Sequence, residues 1–330
     1  MSQQAGITAI GSYLPAAKIT NADLEKTVQT TDSWITRRTG INERRRAGAG
    51  ENCSDMAAAA CSKALEKAGL DPREVDLIIC TSLSPDKICP STASLIQGKL
   101  GLINSAAFDL SAACAGFPFA LATGAAFINS NIYKNILVVG AEAISRLIDW
   151  TDRNTCILFG DGAGAAVLQP VEAPYGILAN YLANDGTKSG LIQVPAGGSA
   201  MPASFQTVEQ NEHFLKMQGK EVFRFAVRVI PLAINNVLAK ADVGLEEVAL
   251  FIPHQANIRI IEAAAKKLGV PMDKFFTNLE YLGNTSTASV PLALEAATQE
   301  NRLNKGDLVV IIGFGGGLSW GANVIRWGAG

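Results

Sequence analysis

Two apolar segments with the same lead-in recur a domain's length apart, and this duplication restricts the possible folds more than any other feature of the chain. Glu74-Val75-Asp76-Leu77-Ile78-Ile79 is answered by Glu247-Val248-Ala249-Leu250-Phe251-Ile252, each behind a Gly-Leu turn and an acidic residue. Ile136-Leu137-Val138-Val139-Gly140 leads to a Phe159-Gly160-Asp161-Gly162-Ala163-Gly164 segment and a further apolar run. Leu308-Val309-Val310-Ile311-Ile312-Gly313 leads in the same way to Phe314-Gly315-Gly316-Gly317 and then 322–325. The offsets run from roughly 155 to 175 residues, so the repeat is of domain size and not a solenoid period. Helix-like apolar spacing over 55–68, 112–128, 222–239, 258–268 and 290–301 alternates with these strands. Continuous apolar strands alternating with helices imply sheets covered on both faces. Two such halves back to back predict an α/β chain layered α/β/α/β/α. Pro170 and Pro174 break the pattern, which divides the chain into halves 1–172 and 173–330.

Composition matters here for what it excludes. A net charge of −2 argues against a nucleic-acid binder, which is usually basic. The six cysteines form no C-x-x-C pair and lie in the first half, so neither a metal site nor a disulfide framework is expected. They fit a reducing, cytoplasmic setting. The first residues show no basic stretch leading into an apolar one, so no signal peptide is expected. The uncharged apolar segment 112–128 is short for a membrane span and holds Gly116, Pro118 and Gly124. It reads as a buried helix, and no membrane is implied.

Three residues then stand out. Cys114 follows the strand-like run 106–110 and starts the 112–128 helix, where the helix dipole favours a thiolate. Position alone fits a small core cysteine as well. His254 follows Leu250-Phe251-Ile252-Pro253, at the strand end where α/β folds place their sites; a structural histidine fits there equally. Asn284, in Leu282-Gly283-Asn284-Thr285-Ser286, reads by itself as a cap or turn residue. The duplication links them. Adding about 170 to Cys114 reaches Asn284, so the two occupy equivalent loops, which a pseudo-twofold axis brings together.

Ser111-Ala112-Ala113-Cys114-Ala115-Gly116, Pro253-His254-Gln255-Ala256-Asn257-Ile258-Arg259 and Gly283-Asn284-Thr285-Ser286 resemble the three active-site signatures of the β-ketoacyl-acyl-carrier-protein synthase III family. The resemblance runs from Gly11 to Gly321 and implies a thiolase-like duplicated fold. It implies a decarboxylative Claisen condensation of an acyl-CoA starter with malonyl-acyl-carrier protein, which initiates fatty acid synthesis. Cys114 would be the nucleophile, with His254 and Asn284 as neutral donors to the thioester oxygen. Backbone N–H groups of Cys114 and of the loop Gly315, Gly316 and Gly317 would hold the oxyanion. No cofactor is implied beyond the two thioester substrates. No cysteine follows Cys156 to serve as a thiolase's second cysteine, and Asn284 stands where elongating synthases have a second histidine.

By the same resemblance, Trp34 stacks on the adenine of CoA, with Arg38, Arg153 and Asn257 as further CoA contacts. Arg224, Arg259, Lys266 and Lys267 would meet the acidic acyl carrier protein, steered by local positive charge. Cys89 stands where many relatives have a phenylalanine that crosses a homodimer interface to close the acyl pocket. The smaller thiol implies a longer or bulkier primer, and Leu83-Ser84-Pro85-Asp86 is similar to quinolone-type synthases. The alternatives are a specialised acyltransferase or ketosynthase of secondary metabolism on the same scaffold, and a non-catalytic carrier-protein-binding homologue. Intact Cys114, His254 and Asn284 speak against the last.

Overall fold

The long strands form where the sequence runs mostly apolar, and the computed structural model, which describes residues 4–329, gathers them into two large sheets beside two small two-stranded ones. Residues 1–3, part of the stretch read above for a signal peptide, lie outside the described residues. The first sheet holds β1 (Gln4–Tyr13), β2 (Leu77–Thr81), β3 (Ala106–Asp109), β4 (Ile136–Glu142) and β5 (Gly162–Val171), in the order β1-β5-β4-β2-β3. The second holds β6 (Gly176–Asn184), β7 (Val248–Pro253), β8 (Leu308–Gly315) and β9 (Ser319–Arg326), in the order β6-β9-β8-β7.

The two sheets share one topology. β2 runs parallel to β4 as β7 does to β8, and the next two strands of each sheet are antiparallel. Cys80 faces Val139 in the first sheet; Pro253 faces Ile312, both 173 positions on, in the second. The sheets differ at one edge. Where the first has β3, the second keeps only a parallel bridge from Phe251 to Phe275, whose rings stack at 4.8 Å.

Side-chain alternation along the buried strands feeds two cores at once. In β2, Ile78 and Cys80 face outward onto α2 (Cys53–Ala68) and α3 (Thr92–Leu100). Leu77 and Ile79 face inward, with Leu250 and Ile252 of β7, onto α4 (Gly116–Asn129) and α7 (Ser289–Gln299). Phe251 faces out again, onto α5 (Gly219–Ala241) and α6 (Ile258–Leu268). The layers are therefore α2/α3, sheet, α4/α7, sheet and α5/α6, the five expected. Each fully buried Leu, Ile or Phe contributes about 1.5–3 kcal/mol, so the shared central layer binds the halves firmly.

The 112–128 segment is buried as expected, but its α-helix begins at Gly116, after a 3-10 turn Ala113–Ala115. Of the described helices, α5 alone is long and apolar enough to cross a membrane. Its apolar face, Phe225, Ala226, Val229 and Ile230, is buried in the core that also holds Val310 and Ile312 of β8.

Candidate active site

Cys114 sits in the turn ahead of α4, with Ala113 forced to a φ of 46°. The matching turn Ser286–Ala288 precedes α7, and Ser286 has a φ of 48°. The strict counterpart of Cys114 is thus Thr287, with Asn284 three residues earlier in the equivalent loop. A sequence offset alone cannot settle such a detail, because loop lengths vary between the halves. The same correspondence relates Thr81 to His254 and Glu142 to Gly315, each pair 173 positions apart.

A cavity of about 1180 Å³ opens over these elements, lined by Cys114, His254, Asn284 and the loop Gly315, Gly316 and Gly317. Gly315 has to be glycine. A Cβ there would lie 2.7 Å from Cys114 Cβ and 3.1 Å from its Sγ. His254 is held by its backbone N–H to Ile312 O at 2.7 Å and by edge contact with Phe314 at 5.1 Å. Its Nδ1 lies 2.6 Å from Ser289 Oγ, which also accepts the Gln255 N–H at 3.3 Å. A serine hydroxyl has one proton and two lone pairs, so this contact orients the ring in either tautomer and leaves Nε2 without a hydrogen-bond partner among the described residues. Burial lowers the His254 pKa to about 3, so the ring is neutral.

Asn284 is positioned by the other half of the chain. Its N–H donates to Leu158 O at 2.8 Å, and its carbonyl accepts from Gly160 N–H at 3.1 Å. Its side-chain oxygen accepts the Ser286 N–H at 2.9 Å, which leaves the amide NH₂ as the free donor.

The thiol departs from expectation. Burial pushes Cys114 up to about 12, with a hydrogen bond to Ser286 Oγ at 3.2 Å pulling the other way. A helix end contributes about 0.3–1 kcal/mol, less than the desolvation of a thiolate in so closed a place. At rest the group is a neutral thiol.

Around the cavity, Trp34 lies in α1 (Asp32–Thr39), with the guanidinium of Arg153 4.8 Å and that of Arg38 5.7 Å from its ring centroid. Trp34, Arg38, Arg224, Asn257 and Arg259 line the cavity; Arg153 reaches it only through Trp34. Asn257 is largely engaged within the protein, its oxygen capping α6 at Arg259 N–H (2.9 Å) and its nitrogen holding Arg38 O (3.0 Å). Arg224 pairs with Glu221 at 2.6 Å on the exposed start of α5. Lys266 and Lys267 are exposed in the last turn of α6, away from the cavity wall. Cys89 is exposed and does not border its own chain's cavity, so it closes no acyl pocket within one subunit. Among the described residues, no cluster of His, Cys, Asp and Glu suits a metal ion.

The matches to known proteins follow the same outline. A family model described as 3-oxoacyl-[acyl-carrier-protein] synthase III matches residues 108–186, and one described as its C-terminal part matches 238–327. The β-ketoacyl-[acyl-carrier-protein] synthase III of Caldanaerobacter subterraneus subsp. tengcongensis is 51% identical over 323 residues, 98% of either chain. The chain belongs to this family. Among solved structures, the family enzyme of Aquifex aeolicus VF5 superposes with a TM-score of 0.91 at 46% identity, covering 98% of this chain and 100% of that one. The priming β-ketosynthase of the R1128 polyketide pathway gives 0.91 at 36% identity, covering 99% and 97%.

Sequence reasoning passed over Ser289 and Ser286, which touch His254 and Cys114 from behind, and the buried Glu142 at the end of β4. Ser286 lies inside a quoted signature. Glu142 had a signal too: a carboxylate closing an otherwise apolar strand, which in a buried position needs partners.

Proposed function

We propose that the chain condenses an acyl-CoA starter with malonyl-acyl-carrier protein, through an acyl-enzyme on Cys114. The observation that carries this is the single cavity in which the thiol, a neutral histidine and a free amide NH₂ converge from loops of both halves. Cys114 attacks the acyl-CoA carbonyl, and the Cys114 and Gly316 region N–H groups receive the oxyanion. CoA leaves and the malonyl thioester takes its place. Loss of CO₂ builds negative charge on the thioester oxygen, which His254 Nε2–H and Asn284 Nδ2–H stabilise. The carbanion attacks the acyl-cysteine, and no base is needed to create it.

Trp34, Arg38 and Arg153 form a stacking and phosphate-binding rim for CoA. Arg224, Arg259, Lys266 and Lys267 supply positive charge for the carrier protein. A homodimer in the cytoplasm, with Cys89 at the partner's acyl pocket, completes the reading. The R1128 relative favours a second one, priming of a specialised pathway by a bulkier starter. Product formation from an acyl-CoA series, with malonyl-acyl-carrier protein against malonyl-CoA, tests both. Activity with malonyl-CoA alone would reject the carrier protein, and a strict acetyl preference would reject the bulkier primer.

A further inference from the structure

Three consecutive arginines, residues 44–46, would ordinarily form a solvated charged stretch. The first is instead fully buried, in the short strand Glu43–Arg46. Among the described residues its hydrogen bonds all go to neutral oxygens. They are Ile19 O at 3.1 Å, Asn21 Oδ1 at 3.0 Å from both terminal nitrogens, and Ile157 O at 2.8 Å. Burial lowers the Arg44 pKa only to about 10, so the group is a cation at neutral pH. Enclosing a charge without an anion is costly, which asks for a use beyond filling the core.

The contact with Ile157 supplies one. Ile157 begins the stretch that grips Asn284: Leu158 O takes the Asn284 N–H at 2.8 Å, and Gly160 N–H donates to the Asn284 carbonyl at 3.1 Å. Arg44 is wedged against both sides of this clamp. A Cβ on Gly160, or on Gly283 just before Asn284, would lie 3.0 Å from Arg44 Cβ. Arg45 O takes the Asp161 N–H at 2.9 Å, so the same strand holds the far end of the stretch. Ile157, Leu158 and Phe159 also line the cavity, whereas Arg44 does not. Asn21, the other anchor, keeps bonds of its own to Asp32 Oδ1 at 2.9 Å and Ile41 O at 2.8 Å.

We propose that Arg44 is a positioning residue for decarboxylation: its guanidinium fixes Ile157 and, through residues 158–160, sets where the Asn284 amide NH₂ points. This rests on reading Asn284 as a donor to the malonyl thioester oxygen. Cys114 and His254 hang on other contacts, Ser286 for the thiol and Ser289 and Ile312 for the ring. Acyl transfer to Cys114 therefore does not depend on Arg44, and the two halves of the reaction respond differently to its loss.

The test measures both halves in full-length Arg44→Lys and Arg44→Met. Lysine keeps the charge but cannot fork between Asn21 and Ile157; methionine fills the space and makes neither contact. Single-turnover acylation of Cys114 at saturating acyl-CoA is followed by peptide mass, and CO₂ release from malonyl-acyl-carrier protein is followed separately. Decarboxylation should fall about 10²-fold in Arg44→Met and about tenfold in Arg44→Lys, with acylation within about threefold of the unmodified rate. Either substitution added to Asn284→Ala should slow decarboxylation no further, because no amide is left to position. Equal losses in both halves, undiminished decarboxylation, or losses that multiply with Asn284→Ala would overturn the proposal. An arginine that only stabilises the core predicts one of those three results. If Arg44→Met fails to fold, Arg44→Lys decides by the same readings. If the unmodified protein releases no CO₂, the donor reading of Asn284 fails instead. Backbone hydrogen exchange in Arg44→Lys then decides the positioning: faster exchange at Gly160 and Asn284 supports it, and unchanged exchange there overturns it.

Discussion

Thr81 and Thr287 hold, across the pseudo-twofold, the places that His254 and Cys114 hold at the cavity. Thr81 corresponds to His254 and Thr287 to Cys114, on matching strands and matching helix-leading turns. The two threonines hydrogen-bond each other directly and are sealed off. Their active counterparts open onto the cavity. The difference extends one residue further. Gly315 keeps its side empty beside Cys114, where substrate oxygen has to enter. Its counterpart Glu142 fills the matching place with a buried carboxyl group that takes the Leu83 and Ser84 N–H groups. One scaffold thus carries one open site and one plugged by the protein's own carboxyl group. Duplication supplies the geometry, and side-chain volume decides which copy works.

The largest effect should separate the two pairs. His254→Ala or Asn284→Ala removes a donor to the enolate oxygen and should lower condensation by about 10²–10³, while acylation of Cys114 by acyl-CoA persists. Thr81→Val should leave condensation within about threefold and lower the melting temperature, since it leaves the Thr287 hydroxyl unpaired in the core. A Thr81→Val enzyme as impaired as His254→Ala would erase the distinction.

Next come the glycines at the two crossings. Gly315→Ala places a methyl against the nucleophile and should slow acylation by about 10²-fold in a folded protein. On the silent side, a Cβ at Gly140 meets the Thr287 carbonyl at 2.7 Å. Gly140→Ala should therefore be a stability defect of about 1–3 kcal/mol, read by denaturant unfolding. If Trp34 stacks on CoA as proposed, Trp34→Ala should raise the KM for acyl-CoA about tenfold and leave malonyl decarboxylation unchanged.

The smallest effect concerns acid. The folded His254 value of about 3 lies below the ordinary ~6.5, so the unfolded chain takes the proton first. His254 therefore stabilises the fold above about pH 6.5, and this is lost as pH falls toward 3. Glu142 works the other way. Its raised value makes its contribution complete below about pH 4.3 and lost as pH climbs through about 7. His254→Phe removes the first leg only, so its melting temperature should fall less between about pH 7 and 5 than that of the unmodified protein. Parallel curves would mean that His254 is protonated in the folded state.

The duplication, the five layers and the loops that carry Cys114, His254 and Asn284 are legible in the sequence because strand pattern and offset repeat. What escapes is set by contacts between the halves. Nothing local marks Ser289 as the partner of His254, since 35 positions separate them. The 143–161 connection is another case. It brings Leu158 and Gly160 onto Asn284, and β8 and β9 have only three residues, 316–318, in its place. The raised pKa of the Cys114 thiol escapes for a similar reason. The helix dipole is visible in a sequence, but the walls that desolvate Cys114 come from the other half.

The central claim is that the acyl group rests on Cys114, and intact and peptide mass after incubation with a series of acyl-CoAs tests it most directly. A single acyl adduct on the Cys114 peptide, discharged by malonyl-acyl-carrier protein and absent in Cys114→Ala, is the predicted result. An adduct on another cysteine, or product formed by Cys114→Ala at the unmodified rate, would contradict it.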